Sequence, residues 1–445
     1  MINQTSRSLL ILAGRLADGL GGASRADQAA LVEAGRIRAV GQRETVRRQA
    51  APDVEVVDLG AACLAPGLID SHTHLSLAGD GRPYAEMFAD TDEMMVLTGA
   101  MNMQRHLTAG ITTIREHGAR NRVGFTLKEG LARGYIPGPR MLVSGRPITC
   151  TGGHFHMCNE VADGEEEIRR SVRRLVHEGA DYIKIMASGG GTAGTIPGRA
   201  SYETAELRAA VHEARSFGRL TAAHCRARES MLRAVEAGID LMEHAEFLDP
   251  DDQLRFDPKI AEMMAESGIW VSPTLQAWTR YPRIVELRGR RDRVVEQGRE
   301  RDLMGAFGGV ACESLAGRGG VSPDEATELE ALEARAELRL DVMRRMLDCG
   351  VRDRVVPGTD SGVGSLAFGH LDYDLQLLVR AGFTPGEALA SATRLSAEAV
   401  GMGGEIGTVE PGKVADLVAL DGDPTADVGA FSRVVAVFQA GRRIR

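Results

Sequence analysis

Short apolar runs closed by glycine open the chain. SLLILAGRL, GRIRAVG and VEVVDLG set aliphatic and β-branched residues between turn formers, which predicts strands rather than helices. ADLVALDG and RVVAVFQAGRRIR repeat that style at the other end. Between them the period changes. GLIDSHTHL, GITTIREHG, RMLVSGRPI, DYIKIMASGG, LTAAHC, DLMEHA, WVSPTL and RVVPGTDSG read as strands, separated by stretches of helical spacing. EEEIRRSVRRLVHEG is one such stretch, with Gly179 placed to cap its C-terminus. About eight strand–helix units predict an α/β fold, a (β/α)8 TIM barrel with functional residues at strand C-terminal ends. The flanking runs predict a small β-sandwich-like domain built from both termini. The expected division is 1–62 plus 404–445 for that domain and 63–403 for the barrel.

Residues 279–340 depart from the short-loop rule and are dense in charge. Ser322 as N-cap, Pro323 at N1 and Glu325 at N3 predict a helix start. The segment reads either as an insertion over the barrel mouth or as a solvated surface helix. The Met-rich stretch DEMMVLTGAMNMQRHL has helical spacing and is expected to pack in the core.

Composition removes several classes. Net charge is −9 over 445 residues, and basic residues are interleaved with acids, so no nucleic-acid groove is expected. LLILAG is too short for a signal segment or a membrane span, and no later run is long enough to cross a bilayer. The six cysteines show no C-x-x-C pair and read as scattered reduced thiols in a cytoplasmic protein. ASGGGTAG lacks the Lys-Ser/Thr of a phosphate loop. Cys225 adjoins His224 on a strand and so points to the opposite face, as a structural thiol rather than a nucleophile.

The candidate chemistry lies at the strand ends. His72 and His74 share one face of their strand. His224 ends LTAAH, His244 ends DLMEH and Asp360 ends RVVPGTD. Imidazole and carboxylate are the usual ligands of a catalytic divalent metal. Each residue alone suits a hydrogen-bonded loop; five at five strand ends suit a metal site better. Lys184 sits among Ile183, Ile185 and Met186, where an unpaired ammonium is costly. It either snorkels to solvent or an acid, or it is carbamylated by CO2 into an anion able to bridge two metals.

These motifs resemble the amidohydrolase superfamily, in its imidazolonepropionase-like branch, which includes binuclear zinc carboxypeptidases and prolidases and resembles carbamate and urea herbicide hydrolases. The likeness runs nearly end to end through APGLIDSHTHL, AGITTIREHG, TGGH, DYIKIMASGG, AAHC, MEHA, GTDSG and IGTVEPGKVADLVALDGDP. It implies two divalent metal ions, zinc first. His72 and His74 would bind the more buried ion and His224 and His244 the more exposed one. Carbamylated Lys184 would bridge them and Asp360 would complete the first. It also implies that His154 contacts the substrate carbonyl, and that the chain is a homo-oligomer. Glu116 stands where the family usually has Asp. His156 is either a group behind the site or a loop residue.

The expected enzyme is a binuclear amidohydrolase that cleaves an amide-type C–N bond of an N-acyl amino acid, dipeptide or related small molecule with a metal-bridging hydroxide. Asp360 would move the proton. Hydrolysis of a carbamate, thiocarbamate or arylurea would use the same site, and a non-catalytic scaffold is the remote alternative. A deaminase would carry Glu three residues after its strand-end histidine, where Ala227 and Phe247 stand. Trp278 and Tyr281 are candidates to line the substrate pocket.

Overall fold

The structure is a computed structural model that describes residues 8–290 and 322–445. The central part of the 279–340 segment, residues 291–321, and with it Cys312, lies outside the described residues. Strands β1 (Leu9–Leu16), β2 (Arg25–Glu33), β3 (Arg36–Gln42), β4 (Glu55–Asp58) and β5 (Cys63–Pro66) come first. There follow β6 (Leu68–Thr73), β7 (Ile111–Glu116), β8 (Arg140–Val143), β9 (Tyr182–Met186), β10 (Leu220–Ala227), β11 (Leu241–Leu248) and β12 (Trp270–Ser272). The chain ends with β13 (Leu417–Leu420), β14 (Val434–Gln439) and β15 (Arg442–Arg443).

Both termini share one sheet, in the order β15-β14-β13-β5-β1-β2-β3, with β4 beside β1. Alternation along β1 explains its burial on two sides. Leu9, Ile11 and Ala13 join Leu64, Leu417 and Phe438 in one cluster, while Leu10 and Leu12 join Leu31 and Val46 in another. Because β5 pairs with β13 and β1, this sheet takes in Cys63–Pro66, past the expected boundary at residue 62. Gly67 then turns the chain into β6. A Cβ there would lie 2.1 Å from Thr112 Oγ1, so only glycine permits this approach.

The middle strands pair in parallel as β6-β7-β8 and β9-β10-β11-β12. Parallel bridges join these sets at Ile148↔Ile185, Val271↔Val355 and Thr73↔Ser361. Residues 355–361, expected as a strand, carry isolated bridges at Val355 and Ser361 but form no continuous ladder. Pro357 lacks an N–H to donate, and Gly358 lies so close to β6 that a Cβ would meet His72 Cβ at 2.6 Å. In WVSPTL only Trp270–Ser272 pairs, because Leu275 begins the helix Leu275–Thr279.

Two helix ends match their sequence signals. Gly164–Glu178 stops at Gly179, whose φ is 106°. Pro323–Met346 starts with a reciprocal cap: Ser322 Oγ accepts from Glu325 N, and the Glu325 carboxylate accepts from Ser322 N. The Met-rich helix Asp92–Thr108 is only half core. Met95 and Met103 are buried, whereas Met94, Leu97 and Met101 are exposed, so its apolar residues cover more than one face. Among the described residues no helix is long and apolar enough to cross a membrane.

Candidate active site

β6 brings His72 and His74 to one end of the parallel strands, and both rings are buried. The neighbouring extended segment is fastened to it: Asp360 N donates to His72 O at 2.8 Å, and His74 N donates to Ser361 O at 2.9 Å. Beneath this seam the Asp70 carboxylate accepts from His72 N, Thr359 N and Thr359 Oγ1 at 3.1, 3.0 and 2.7 Å. Asp360 has φ 55°, a left-handed backbone that is costly for a residue with a Cβ. Its Oδ1 lies 3.3 Å from His72 Nε2 and 3.4 Å from His74 Nε2.

The hydrogen-bond network fixes which ring nitrogens are bare. His72 Nδ1 faces Glu243 Oε2 at 2.7 Å and donates to it, and His74 Nδ1 faces the Gly118 carbonyl at 3.4 Å. In the neutral rings both Nε2 atoms are then lone pairs, 3.3 Å apart and beside a carboxylate. His224 Nε2 donates to Gly189 O at 3.1 Å, and His244 Nδ1 meets Thr274 Oγ1 at 2.7 Å. That leaves His224 Nδ1 and His244 Nε2 facing each other at 2.9 Å. Trp278 Nε1 also reaches His244 Nδ1, at 3.3 Å. Without an ion the 2.9 Å contact is an N–H···N hydrogen bond between the two rings, and either inward nitrogen becomes a ligand lone pair once its proton is moved or lost. Partners on the far nitrogen are what hold a metal-binding imidazole in place.

Lys184 is fully buried on β9, and its Nζ has no hydrogen-bond partner among the described residues. Burial pulls its pKa down to about 8, against the opposing pull of the Glu243 and Asp360 carboxylates. Burial would raise the Asp360 pKa, but the His72 and His74 rings outweigh it and hold the carboxyl well below the usual range. Burial pushes His74, His224 and His244 down, so these rings are neutral and able to bind a metal. His72 goes the other way: burial lowers it, and the Glu243 carboxylate more than offsets that. The donor set, with one orphaned amine beside it, fits divalent cations.

These groups open on a cavity of about 480 Å³, lined by His72, His74, His154, Lys184, His224, His244 and Asp360. His154 is buried against it, with Nδ1 2.8 Å from Thr192 Oγ1, and its ring packs where a Cβ on Gly190 would clash at 2.5 Å. His156 lines the wall but is exposed, with Nδ1 3.0 Å from Gly153 O. Trp278 lines the wall, and its Nε1 donates to Thr274 Oγ1 at 3.0 Å. Tyr281 does not line the cavity. It is buried against Tyr373, with its hydroxyl 3.3 Å from Gln376 Oε1. Glu116 is also off the cavity: Oε1 accepts from Gly118 N at 3.2 Å, and burial pushes its pKa up to about 8. Cys225 is buried away from the site, its thiol reaching Ser230 O at 3.7 Å.

Several residues escaped the sequence reading. Glu243 precedes His244, and alternation would send the two to opposite faces. His244 has φ 69° and Ala245 φ 47°, which breaks the alternation and lets both serve the same site. His117 stacks on His72 with centroids 4.3 Å apart and donates from Nε2 to Ser71 O at 2.6 Å. His72, His117 and Glu243 also form a compact trio. There the facing nitrogens of both rings already donate to oxygens, so the trio supports the site rather than holding an ion. Arg339, on the helix Pro323–Met346, is buried and donates to the carbonyls of His244 and Ala245. The helix therefore braces β11, and a wholly solvated surface helix is excluded for it. The signal available for Glu243 was a carboxylate inside the apolar run DLMEHA; for Arg339 there was none.

The chain belongs to the amidohydrolase family, whose family model matches residues 63–444. It is thus a metal-dependent hydrolase acting on carbon–nitrogen bonds. Ochratoxinase from Aspergillus niger is 27% identical over 406 residues, spanning 84% of this chain and 73% of that protein. The crystal structure of A. niger ochratoxinase matches with TM-score 0.74 at 25% identity, covering 99% of this chain and 96% of that one. An imidazolonepropionase from Symbiobacterium thermophilum is 24% identical over 449 residues, 93% of this chain and 90% of that one. A Xaa-Pro dipeptidase with bound methionine in its active site shares the fold with TM-score 0.77 at 24% identity, covering 98% and 100% of the two chains.

Proposed function

We propose that the chain hydrolyses the amide bond of an N-acyl amino acid, dipeptide or related small molecule at a binuclear metal centre. The observation that carries this reading is the convergence of inward-facing imidazole nitrogens from His72, His74, His224 and His244 on one cavity with Asp360 and the unpartnered Lys184 amine. In this reading His72, His74 and Asp360 hold the deeper ion, His224 and His244 the outer one, and both ions are zinc. The unprotonated form of the Lys184 amine would add to CO2 with release of one proton, and the resulting carbamate would be a further anionic ligand for the ions. The ring of parallel pairings is read as a (β/α)8 barrel, with residues 1–62 and 404–445 forming a small sandwich-like β domain. A cytoplasmic homo-oligomer completes the proposal.

Two divalent cations held there would bring the pKa of a shared water towards about 7 and polarise the scissile carbonyl. The chain's residues do the rest. Thr192 Oγ1 accepts from Phe155 N at 3.1 Å and donates its hydroxyl hydrogen bond to His154 Nδ1 at 2.8 Å. The N–H of that ring is then Nε2, turned to the cavity as a donor for the carbonyl oxygen. Asp360, kept ionised by His72 and His74, takes the proton of the attacking water and delivers it to the departing nitrogen. Glu243 keeps His72 in the tautomer that leaves its inward nitrogen free, and Thr274 and Trp278 hold the outer nitrogen of His244 in place.

Apolar wall residues Met87, Phe155, Met157 and Met186 also suit an uncharged aryl carbamate, thiocarbamate or arylurea. Initial rates of amine release by zinc-loaded protein decide between the readings. Turnover of N-acyl amino acids or dipeptides, lost on chelation and regained with zinc, is expected. Turnover confined to carbamates or ureas would replace the amide by that alternative. A protein that purifies without metal and turns over nothing when loaded would be a scaffold.

A further inference from the structure

The wall above the histidines carries a charge imbalance. Arg226, Glu246 and Arg339 are all buried. Arg226 Nε donates to Glu246 Oε2 at 2.5 Å, and Arg339 spends its hydrogen bonds on the carbonyls of His244, Ala245 and Pro273. Two guanidinium groups face one carboxylate, which leaves one positive charge uncompensated in a water-poor wall.

That surplus faces the cavity. Arg226 lines it, with its guanidinium lying 3.8 Å from the centroid of the Trp278 ring. Nη1 and Nη2 have no hydrogen-bond partner among the described residues, so the paired donors that match a carboxylate remain open. Two other cationic side chains line the cavity. Lys184 lies with the histidines, and Arg82 is half-exposed at the rim, bound to Asp80 at 2.8 Å.

The position is specific as well. Arg226 lies two residues beyond His224 on β10, on the same face and roughly 6.6 Å further along. At this point β11 bulges: Cys225 is opposite His244 but Ala227 is opposite Leu248. The bulge, with left-handed backbone at His244, Ala245 and Phe247, brings Glu246 to Arg226. Arg226 is thus held flat between an indole and a carboxylate.

Resting on the amidase reading, we propose that Arg226 is the anchor for a free carboxylate on the carbon next to the scissile nitrogen, so that the leaving group is an α-amino acid. The separation from His224 suits a carboxylate a few bonds from the hydrolysed carbonyl.

The test compares zinc-loaded enzyme on N-chloroacetyl-L-phenylalanine, on its primary carboxamide, and on glutaryl anilide, whose carboxylate lies on the acyl side. The free acid is expected to exceed the carboxamide by about 100-fold in kcat/KM. Arg226→Met should collapse that ratio towards 1, and Arg226→Lys should restore part of it. Indole fluorescence gives a readout independent of turnover: L-phenylalanine should perturb wild type at concentrations where L-phenylalaninamide does not, and should lose that advantage in Arg226→Met. Equal rates on acid and carboxamide would overturn the anchor and leave the amidase reading standing. Preference for glutaryl anilide would overturn the α-position. A fluorescence response specific to the carboxylate, with no acyl compound hydrolysed, would keep the anchor and overturn the amidase reading.

Discussion

The floor and the wall of the cavity are built on opposite principles. On the floor, polar atoms are left without partners. His72 and His74 face each other Nε2 to Nε2, His224 and His244 meet nitrogen to nitrogen, and the Lys184 amine is bare. On the wall, Arg226 is stacked and paired, Arg339 is bound to main-chain carbonyls, and Trp278 donates to Thr274. Unsatisfied buried groups are costly, so a fold retains them where something else completes them. In the proposed reading, cations complete the floor. The wall is bonded mostly within itself and offers one open edge, the Nη pair of Arg226. Chemistry and selection are therefore separable, and substitutions in the two regions should fail differently.

The largest effects belong to the floor. Lys184→Ala should cost both metal and activity, by more than about 1000-fold in kcat, on the scale of losing a group that generates the nucleophile. Short carboxylic acids should restore part of both, measured by metal content and rate together. Full activity in that variant would remove Lys184 from the centre. Asp360→Asn should separate the functions: much of the metal stays, while kcat falls by about 100- to 10,000-fold, the range of a lost general base. A near-normal kcat would end the assignment. Glu243→Gln acts one bond further back. It weakens the hold on the His72 tautomer and should reduce metal affinity by about 10- to 100-fold. A competition titration with a chelator reads that directly.

The same division explains what could be read without coordinates. His72, His74, His224, His244 and Asp360 were legible because each ends a short apolar run, where period and position alone fix direction. Lys184 was legible because a cation inside an apolar strand has no cheap alternative. Glu243 was hidden by the left-handed turn of β11, which defeats the alternation rule at the residue where it matters. Arg226 obeys alternation with His224, but its partners Glu246 and Trp278 depend on a bulge and a helix that follow from packing. Arg339 reaches His244 from 95 positions away, and no local pattern encodes that. Tyr281 was drawn to the pocket by proximity in sequence to Trp278, yet the turn at Arg280, φ 49°, sends it into the core.

Glu116 tests the floor from behind through pH. It is buried, and its carboxyl is pushed from 4.5 to about 8 by burial, with the Gly118 N–H and His72 opposing. Its folded-state pKa is raised, so between those values the folded chain holds a proton that the unfolded chain has lost. Its contribution to stability is therefore full below about pH 4.5 and falls as pH rises to about 8. Glu116→Gln keeps the shape without the titration. The variant should gain stability over wild type progressively across that window, by a few kcal/mol at most, and the gain should level off above it. Denaturant melts at pH 5, 7 and 9 would show it, and parallel curves at all three would mean that Glu116 is ionised in the fold.

The smallest effect sharpens the boundary of the wall. Tyr281 belongs to the same stretch of chain as Trp278, but its hydroxyl meets Gln376 and its ring meets Tyr373, behind the lining. Tyr281→Phe deletes one hydrogen bond and leaves the apolar packing. The expected cost is roughly 1 kcal/mol of stability, the net value of such a bond. No change in kcat/KM beyond about twofold should accompany it, and the preference for the free acid should persist, because neither Arg226 nor Trp278 loses a contact. If KM rose for the acid and not for its carboxamide, the wall would extend through this side chain to the substrate, and separation of selection from core packing would fail at that point.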